Sequence, residues 1–288
     1  MIAEHIGESW WLLARRGTEI VATWLVPVEI TRDGPIARRS VRAMPYAAPR
    51  VTATHPKKRR EIWRALIEFL QSECIGIELP LAPGVNDLGV FSQLGAFLEA
   101  RQTHLVHPPG LTPEMLTSKA RNAIAAAATR TEIEISDTAH EFDFDAAIVD
   151  ASDWQIRIRQ TLADVCARQR GALMVSAKRG GRPIGQVLAL HDCQYALMMH
   201  AWMDRGSGVR GVPSLLIARL ARHAFSETGL QVLDLEGSIL AKVDHFMDGV
   251  GAMPTPYAIA YWYRDRARLM QRLESSLDIP GRQALIET

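Results

Sequence analysis

A chain of 288 residues, 48% hydrophobic and 23% charged, is long enough for two domains that each bury a core. A net charge of +1 excludes a surface that is basic throughout and traps nucleic acid by charge alone, while leaving room for local basic patches. The three cysteines, Cys74, Cys166 and Cys193, show no CxxC spacing, which fits a reducing compartment better than a disulfide framework or a zinc site. The N-terminus carries Glu4 and Glu8 rather than a basic-then-apolar leader, and no apolar run is long enough to span a bilayer. The expectation is a cytoplasmic protein without membrane insertion.

The first predicted element is a hairpin: an apolar run from Trp10 to Ala14, a turn at Arg15-Arg16-Gly17-Thr18, and a β-prone run from Glu19 to Val26. From Arg60 to Glu73 apolar Ile62, Trp63, Leu66, Ile67, Phe69 and Leu70 recur at helical spacing, and Ile75 to Leu79 reads as a strand. Between Thr112 and Thr129 alanines favour a helix, with Pro113 and Glu114 in its expected first turn. Ser136 to Asp150 is expected to open the second half as a strand, and Asp153 to cap a helix over Trp154–Arg168. A second hairpin follows, Ala172–Ala177 and Ile184–Leu190 around Lys178–Pro183, then a helix at Leu216–Glu227 and a strand at Leu230–Leu235. Arg264–Ser276 reads as a charged helix and Asp278–Thr288 as a tail. Hairpin, helix and strand recur in the same order, and Arg59–Pro80 aligns with Leu215–Glu236 without a gap, which marks a duplication.

In this order the elements resemble the GNAT superfamily, and two copies in one chain resemble its FemABX-like branch. Asp234-Leu235-Glu236-Gly237-Ser238, then Lys242 to Phe246, Val250-Gly251-Ala252 and Tyr257 resemble that branch's closing block: an acidic-Gly-Ser element, a helix ending in glycine, and a final strand. Ser118 to Ile124 resembles the basic helix placed between the two copies. The resemblance implies an α/β fold of two tandem GNAT-like domains, with mixed central sheets flanked by helices. The expected parts are a degenerate N-terminal domain (1–110), a connecting helix (111–135), a C-terminal GNAT domain (136–265), and a C-terminal helix and tail (266–288). Two departures stand out. The first copy starts at its hairpin, and Asp244-His245-Phe246 replaces the Phe-Lys pair of the peptidoglycan-building members, which use aminoacyl-tRNA donors.

For the donor, the resemblance points to Arg205-Gly206-Ser207-Gly208-Val209-Arg210-Gly211 ahead of a helix begun near Pro213-Ser214, where backbone amides and the helix dipole favour a pyrophosphate. Arg210 stands where the family's loop has its second small residue. The preceding strand, with His200 and Trp202, would contact the pantetheine arm, and His200 is a candidate proton relay against the reading of a packed strand histidine. On a strand, Asp234 and Glu236 would share one face. A buried carboxylate there is a candidate general base for deprotonating an amine, with Glu236 leading, or else an acceptor for the loop around Gly237-Ser238. Asp244 and His245 are candidates for the acceptor side and Tyr257 for protonating a leaving thiolate.

Glu78 of the first copy aligns with Asp234, but Pro80 aligns with Glu236 and Ala53 to Arg60 replaces the glycine loop, so that copy reads as structural. Its Lys57-Lys58-Arg59-Arg60 run fits a solvated helix start, or attraction of phosphate by charge. No metal-ligand set is recognised, and His191-Asp192-Cys193 reads as turn chemistry. The leading expectation is N-acyl transfer from acyl-CoA or acetyl-CoA to an amine of a small molecule or peptide. The alternatives are aminoacyl transfer from aminoacyl-tRNA, served by the basic Lys119 and Arg121 helix, and a non-catalytic binding or scaffold protein.

Overall fold

The computed structural model describes residues 8–38, 46–130, 133–136, 171–192, 194–237 and 241–277. The expected Asp153 cap with its helix, the strand beyond Ser136, Ser238 and the tail from Asp278 lie outside them. In chain order the elements are β1 (Glu8–Arg16), β2 (Glu19–Thr31), β3 (Gly34–Arg38), β4 (Arg50–Val51), α1 (Pro56–Glu73), β5 (Gly76–Pro80), α2 (Leu88–Gln93) and β6 (Phe97–Val106). They continue with α3 (Ser118–Ala128), β7 (Ile133–Ser136), β8 (Ala172–Arg179), β9 (Arg182–His191), β10 (Tyr195–Met203), α4 (Val212–Arg222), β11 (Val232–Asp234), α5 (Ala241–Gly249), β12 (Met253–Tyr263) and α6 (Arg266–Leu277). Two compact units result, one from residues 1–102 and 256–288, the other from residues 103–255.

In the first unit β1 and β2 form the expected hairpin, β2 pairs antiparallel with β3, β3 parallel with β5, and β5 antiparallel with β12. The strand read as closing the second half thus pairs, from Ile259 to Tyr263, with Pro80 to Gly76. Alternating residues announce a strand but carry no address for its partner. Helix α1 buries Ile62, Trp63, Leu66, Ile67 and Leu70, a stripe at helical spacing, against the sheet. There Trp63 meets Trp24 and Phe91 edge-on, with ring centroids 5.8 and 5.5 Å apart. Buried Glu78 accepts from the Tyr263 hydroxyl and from Arg272 Nε at 3.0 Å. Lys57, Lys58 and Arg60 are exposed in the first turn of α1, and Arg59 pairs with Asp87 at 3.0 Å.

The second unit pairs β11 antiparallel with β6 and parallel with β10, then β10, β9, β8 and β7 antiparallel in succession. The turn between β8 and β9 needs only Gly180 (φ 58°) and Gly181 (φ 77°), a pair of positive φ angles that matches the right-handed twist of the strands. Helix α4 buries Val212, Leu216, Ile217, Leu220 and Ala221 against Val175, Val187, Ala189 and Leu233. The duplication holds at the level of element starts. From α1 to α4 the start moves from Pro56 to Val212, and from β5 to β11 from Gly76 to Val232, a shift of 156 residues both times. Helix α3 starts later than Pro113: the Thr117 side chain accepts from Ala120 N–H at 3.2 Å and caps it.

Candidate active site

Strands β10 and β11 run together for only three residues, Tyr195 to Leu197 opposite Val232 to Asp234. Beyond that point β10 is paired with β9 alone among the described residues, while Leu235 N–H donates to the His104 carbonyl of β6 at 2.9 Å. The ladder therefore opens between them, and the far half of β10 has no second strand beside it among the described residues. A bulge between Met198 and His200 marks the opening and resets the alternation. Leu197, His200 and Trp202 stand opposite Leu190, Leu188 and Gln186, so His200 and Trp202 share a face with Asp234, the cross-strand partner of Leu197.

At its open end β10 leads into a tight turn over Arg205–Ser207. Asp204 starts it, its side chain accepting from Gly206 N–H at 2.8 Å, while the Arg179 guanidinium donates to the Ser207 carbonyl at 3.3 Å. Gly208 (φ 66°) and Gly211 (φ 88°) then take left-handed conformations, and Gly211 is the N-cap of α4. The amides of Gly208, Arg210, Gly211 and Val212 make no hydrogen bond among the described residues. Unpaired amides at the positive end of a helix favour an anion. A side chain at Gly211 has no room, because a Cβ there would lie 2.2 Å from the Ala123 carbonyl oxygen of α3. Gly211→Val is expected to cost roughly 2–3 kcal/mol by combining left-handed strain with that clash, read by chemical denaturation.

Asp234 is fully buried and heavily engaged. Oδ1 accepts from Thr103 Oγ1 at 2.5 Å and from Glu236 N–H at 2.7 Å, and Oδ2 accepts from the Tyr195 hydroxyl. These donors come from β6, from the chain after β11 and from β10, so one carboxylate joins three adjacent segments at the root of the opening. Glu236 does not continue the strand. β11 ends at Asp234 and Glu236 has φ 62°, a left-handed conformation that costs a non-glycine residue roughly 1–2 kcal/mol. Strand alternation therefore no longer sets its direction, which corrects the shared-face expectation. Burial pushes the His200 imidazole below its usual range. Because protonation is harder in the folded state, stability is full above the unfolded value of about 6.5 and declines as pH falls through it. His200→Leu is expected to flatten that limb in denaturation curves collected between about pH 7 and 5.

Of the other anticipated residues, half-buried Asp244 and exposed His245 lie on α5, and Gly237 is exposed. Tyr257 belongs to the first unit, where its ring packs edge-on against Tyr46 with centroids 5.1 Å apart. Asp192 Oδ1 accepts from the Gln194 and Tyr195 amides at 2.8 Å, the expected turn chemistry, and so fixes the start of β10. Tyr195 and Thr103 themselves went unread. Their signal was faint: a lone tyrosine opening a strand, and a short β-prone run, Thr103 to Val106, in a stretch with no glycine-marked hairpin. Among the described residues no group of three or more His, Cys, Asp or Glu is placed to hold a metal ion. No described helix is long and apolar enough to cross a membrane.

The opening beside a glycine turn, twice-repeated helix and strand, and mixed sheets can be set against solved structures. FemX aligns over 89% of this chain and 89% of its own, with a TM-score of 0.62 at 8% identity. The tandem GNAT protein of the clavulanic acid biosynthesis pathway aligns over 86% of this chain and 80% of its own, with a TM-score of 0.52 at 11% identity. This is the tandem GNAT fold. A GNAT-family acetyltransferase from Colwellia psychrerythraea aligns over 89% of this chain and 86% of its own, with a TM-score of 0.53 at 14% identity. No protein-family model and no curated protein matches the sequence.

Proposed function

We propose that the second unit is an N-acyltransferase site that moves an acyl group from acyl-CoA to an amine of a small molecule or peptide. The observation that carries this reading is the opening between β10 and β11, which leads directly to the unspent amides at the start of α4. Amide groups of a pantetheine arm suit the edge of β10 that faces the opening, and a diphosphate suits the turn from Gly206 to Gly211. The neutral amine then attacks the thioester carbonyl; a C–N bond forms, the C–S bond breaks, and the thiolate leaves with the electron pair. Glu236 is the proposed acceptor of the amine's proton, and Asp234 holds it in place through the Glu236 amide.

A second reading, an aminoacyl-tRNA donor, is favoured by exposed Lys119 and Arg121 on α3 and by the likeness to FemX. Thermal unfolding with CoA, acetyl-CoA or charged tRNA separates the two. CoA at about a hundred times its Kd is expected to raise Tm by roughly 5–10 °C. Gly208→Ala should shrink the shift without unfolding the protein: a Cβ at Gly208 meets nothing within 4 Å, so the substitution adds only the left-handed strain at φ 66°, roughly 1–2 kcal/mol. No response to CoA, with steeply salt-dependent tRNA binding, would select the second reading. No response to either would leave a binding or scaffold role.

A further inference from the structure

Helix α6 belongs to the first unit, yet none of its described side chains is buried and none joins that unit's hydrophobic core. Helices α1 and α2 both bury apolar residues there. The described contacts of α6 are instead made by arginine. Arg264, Arg268 and Arg272 recur at every fourth residue, a spacing that aligns them along one side of a helix. Just before the helix, Arg264 donates to the Ser72 and Cys74 carbonyls at the end of α1, at 3.0 and 3.3 Å. Arg268 pairs with Asp33, and Arg272 Nε donates to Glu78 at 3.0 Å. The Arg268 and Arg272 side chains are 39% and 41% exposed, so water and salt weaken both ion pairs. A twelve-residue helix is marginal by itself, and one held by such pairs opens locally while the core stays folded.

Beneath Arg272 the sheet is made to hold a cation. Glu78 is buried, and a buried carboxylate is costly without a counter-charge. The Tyr263 hydroxyl donates to it, and the guanidinium carbon of Arg272 stands 6.0 Å from the centroid of the Tyr261 ring. Arg38 is the cross-strand partner of Glu78, but its Nε donates to Glu29 at 2.5 Å. Burial, and then the Glu78 carboxylate, push the Tyr263 hydroxyl well above its usual range, so it stays a donor and adds no second anion. A carboxylate steadied by a hydroxyl, with an aromatic face beside it, suits a planar guanidinium. We propose that Glu78 and Tyr261 form a binding site for a small guanidinium compound, over which α6 is a strap that keeps Arg272 in place until the ligand displaces it. Arg272 sets the chemistry of that ligand, because it is the group the site already holds.

Hydrogen exchange and calorimetric titration on the full chain test this, with methylguanidinium as the probe and circular dichroism confirming that each variant is folded. In wild type the amides of α6 should exchange at least about tenfold faster than those of α1, and high salt should widen that gap roughly tenfold. Millimolar methylguanidinium should speed α6 further than sodium chloride at the same concentration, the mark of displacement rather than screening. Arg272→Ala should bind methylguanidinium roughly tenfold tighter than wild type, since the built-in competitor is gone. Adding Glu78→Gln, which keeps an acceptor for the Tyr263 hydroxyl, should abolish that gain. Exchange of α6 in step with α1, or a wild type that responds alike to methylguanidinium and sodium chloride, would overturn the proposal, and both measurements stand even where a variant does not fold. So would tighter binding that survives Glu78→Gln.

Discussion

Asp234→Ala is expected to lower the stability of the protein by about 3–5 kcal/mol, measured by urea denaturation. The loss has three sources. Two hydroxyls, Thr103 Oγ1 and Tyr195 Oη, lose their acceptor beneath a fully buried carboxylate. The Glu236 amide loses the bond at 2.7 Å that holds its residue in a left-handed conformation. Burying a polar group without a partner costs more than the bond was worth, so the effect exceeds the removal of three ordinary hydrogen bonds from a surface. Asp234→Asn keeps one acceptor oxygen and the same volume, and should cost roughly 1–3 kcal/mol. A pair of additional changes tests the attribution: with Thr103→Val and Tyr195→Phe in place, Asp234→Ala should cost much less than it does alone. Unchanged cost in that background would show that the carboxylate acts through something other than these hydroxyls.

The second large effect is on rate. Glu236→Gln should leave the fold and donor binding intact while lowering turnover by roughly 10²–10⁴, if the carboxylate takes the proton from the attacking amine. Glutamine has the same backbone demands as glutamate at φ 62°, so the comparison isolates chemistry from strain. Glu236→Gly would separate the two in the other direction, gaining roughly 1 kcal/mol of stability from relief of the left-handed strain while losing the same rate. The wild-type profile should fall on its acid side, where the base and the amine are both protonated. A glutamine variant with full turnover across that profile would remove Glu236 from the role and leave orientation of an already neutral amine as the source of catalysis.

Much of this was open to reading in the chain. Hairpin turns announce themselves through glycine, as at Gly17 and Gly180-Gly181, because only those turns demand positive φ. The duplicated helix and strand were legible because their apolar spacing survives in both halves, and their starts keep one offset in the fold. What stayed hidden depended on pairing. Nothing local in Phe97–Val106 or Met253–Tyr263 says which neighbour each strand takes, so the partnership of β12 with β5 and of β6 with β11 needed the folded chain. The site shows the same division. Asp234 was visible as an acid in an apolar strand, whereas its donors lie 131 and 39 residues away in sequence, beyond any local pattern. Glu236 was visible as an acid but not as a residue in a left-handed bend, since the bend is imposed by the Asp234 side chain rather than by a glycine.

The pairing of β12 with β5 also sets a timetable for biosynthesis. The first unit draws on residues 1–102 and again on residues 256–288, so it cannot close when its first segment leaves the ribosome. At ordinary elongation rates the intervening stretch takes about 10–30 s to make. Throughout that interval β5, buried along all five of its residues in the finished fold, lacks the antiparallel neighbour that covers one of its edges. A nascent chain in this condition presents an apolar strand edge to its surroundings and is a client for chaperones until the C-terminal strand emerges. For the same reason a gene fragment ending before Pro256 should yield an aggregating first half rather than an independent domain, whereas a separately supplied peptide spanning Met253–Leu277 should rescue its solubility.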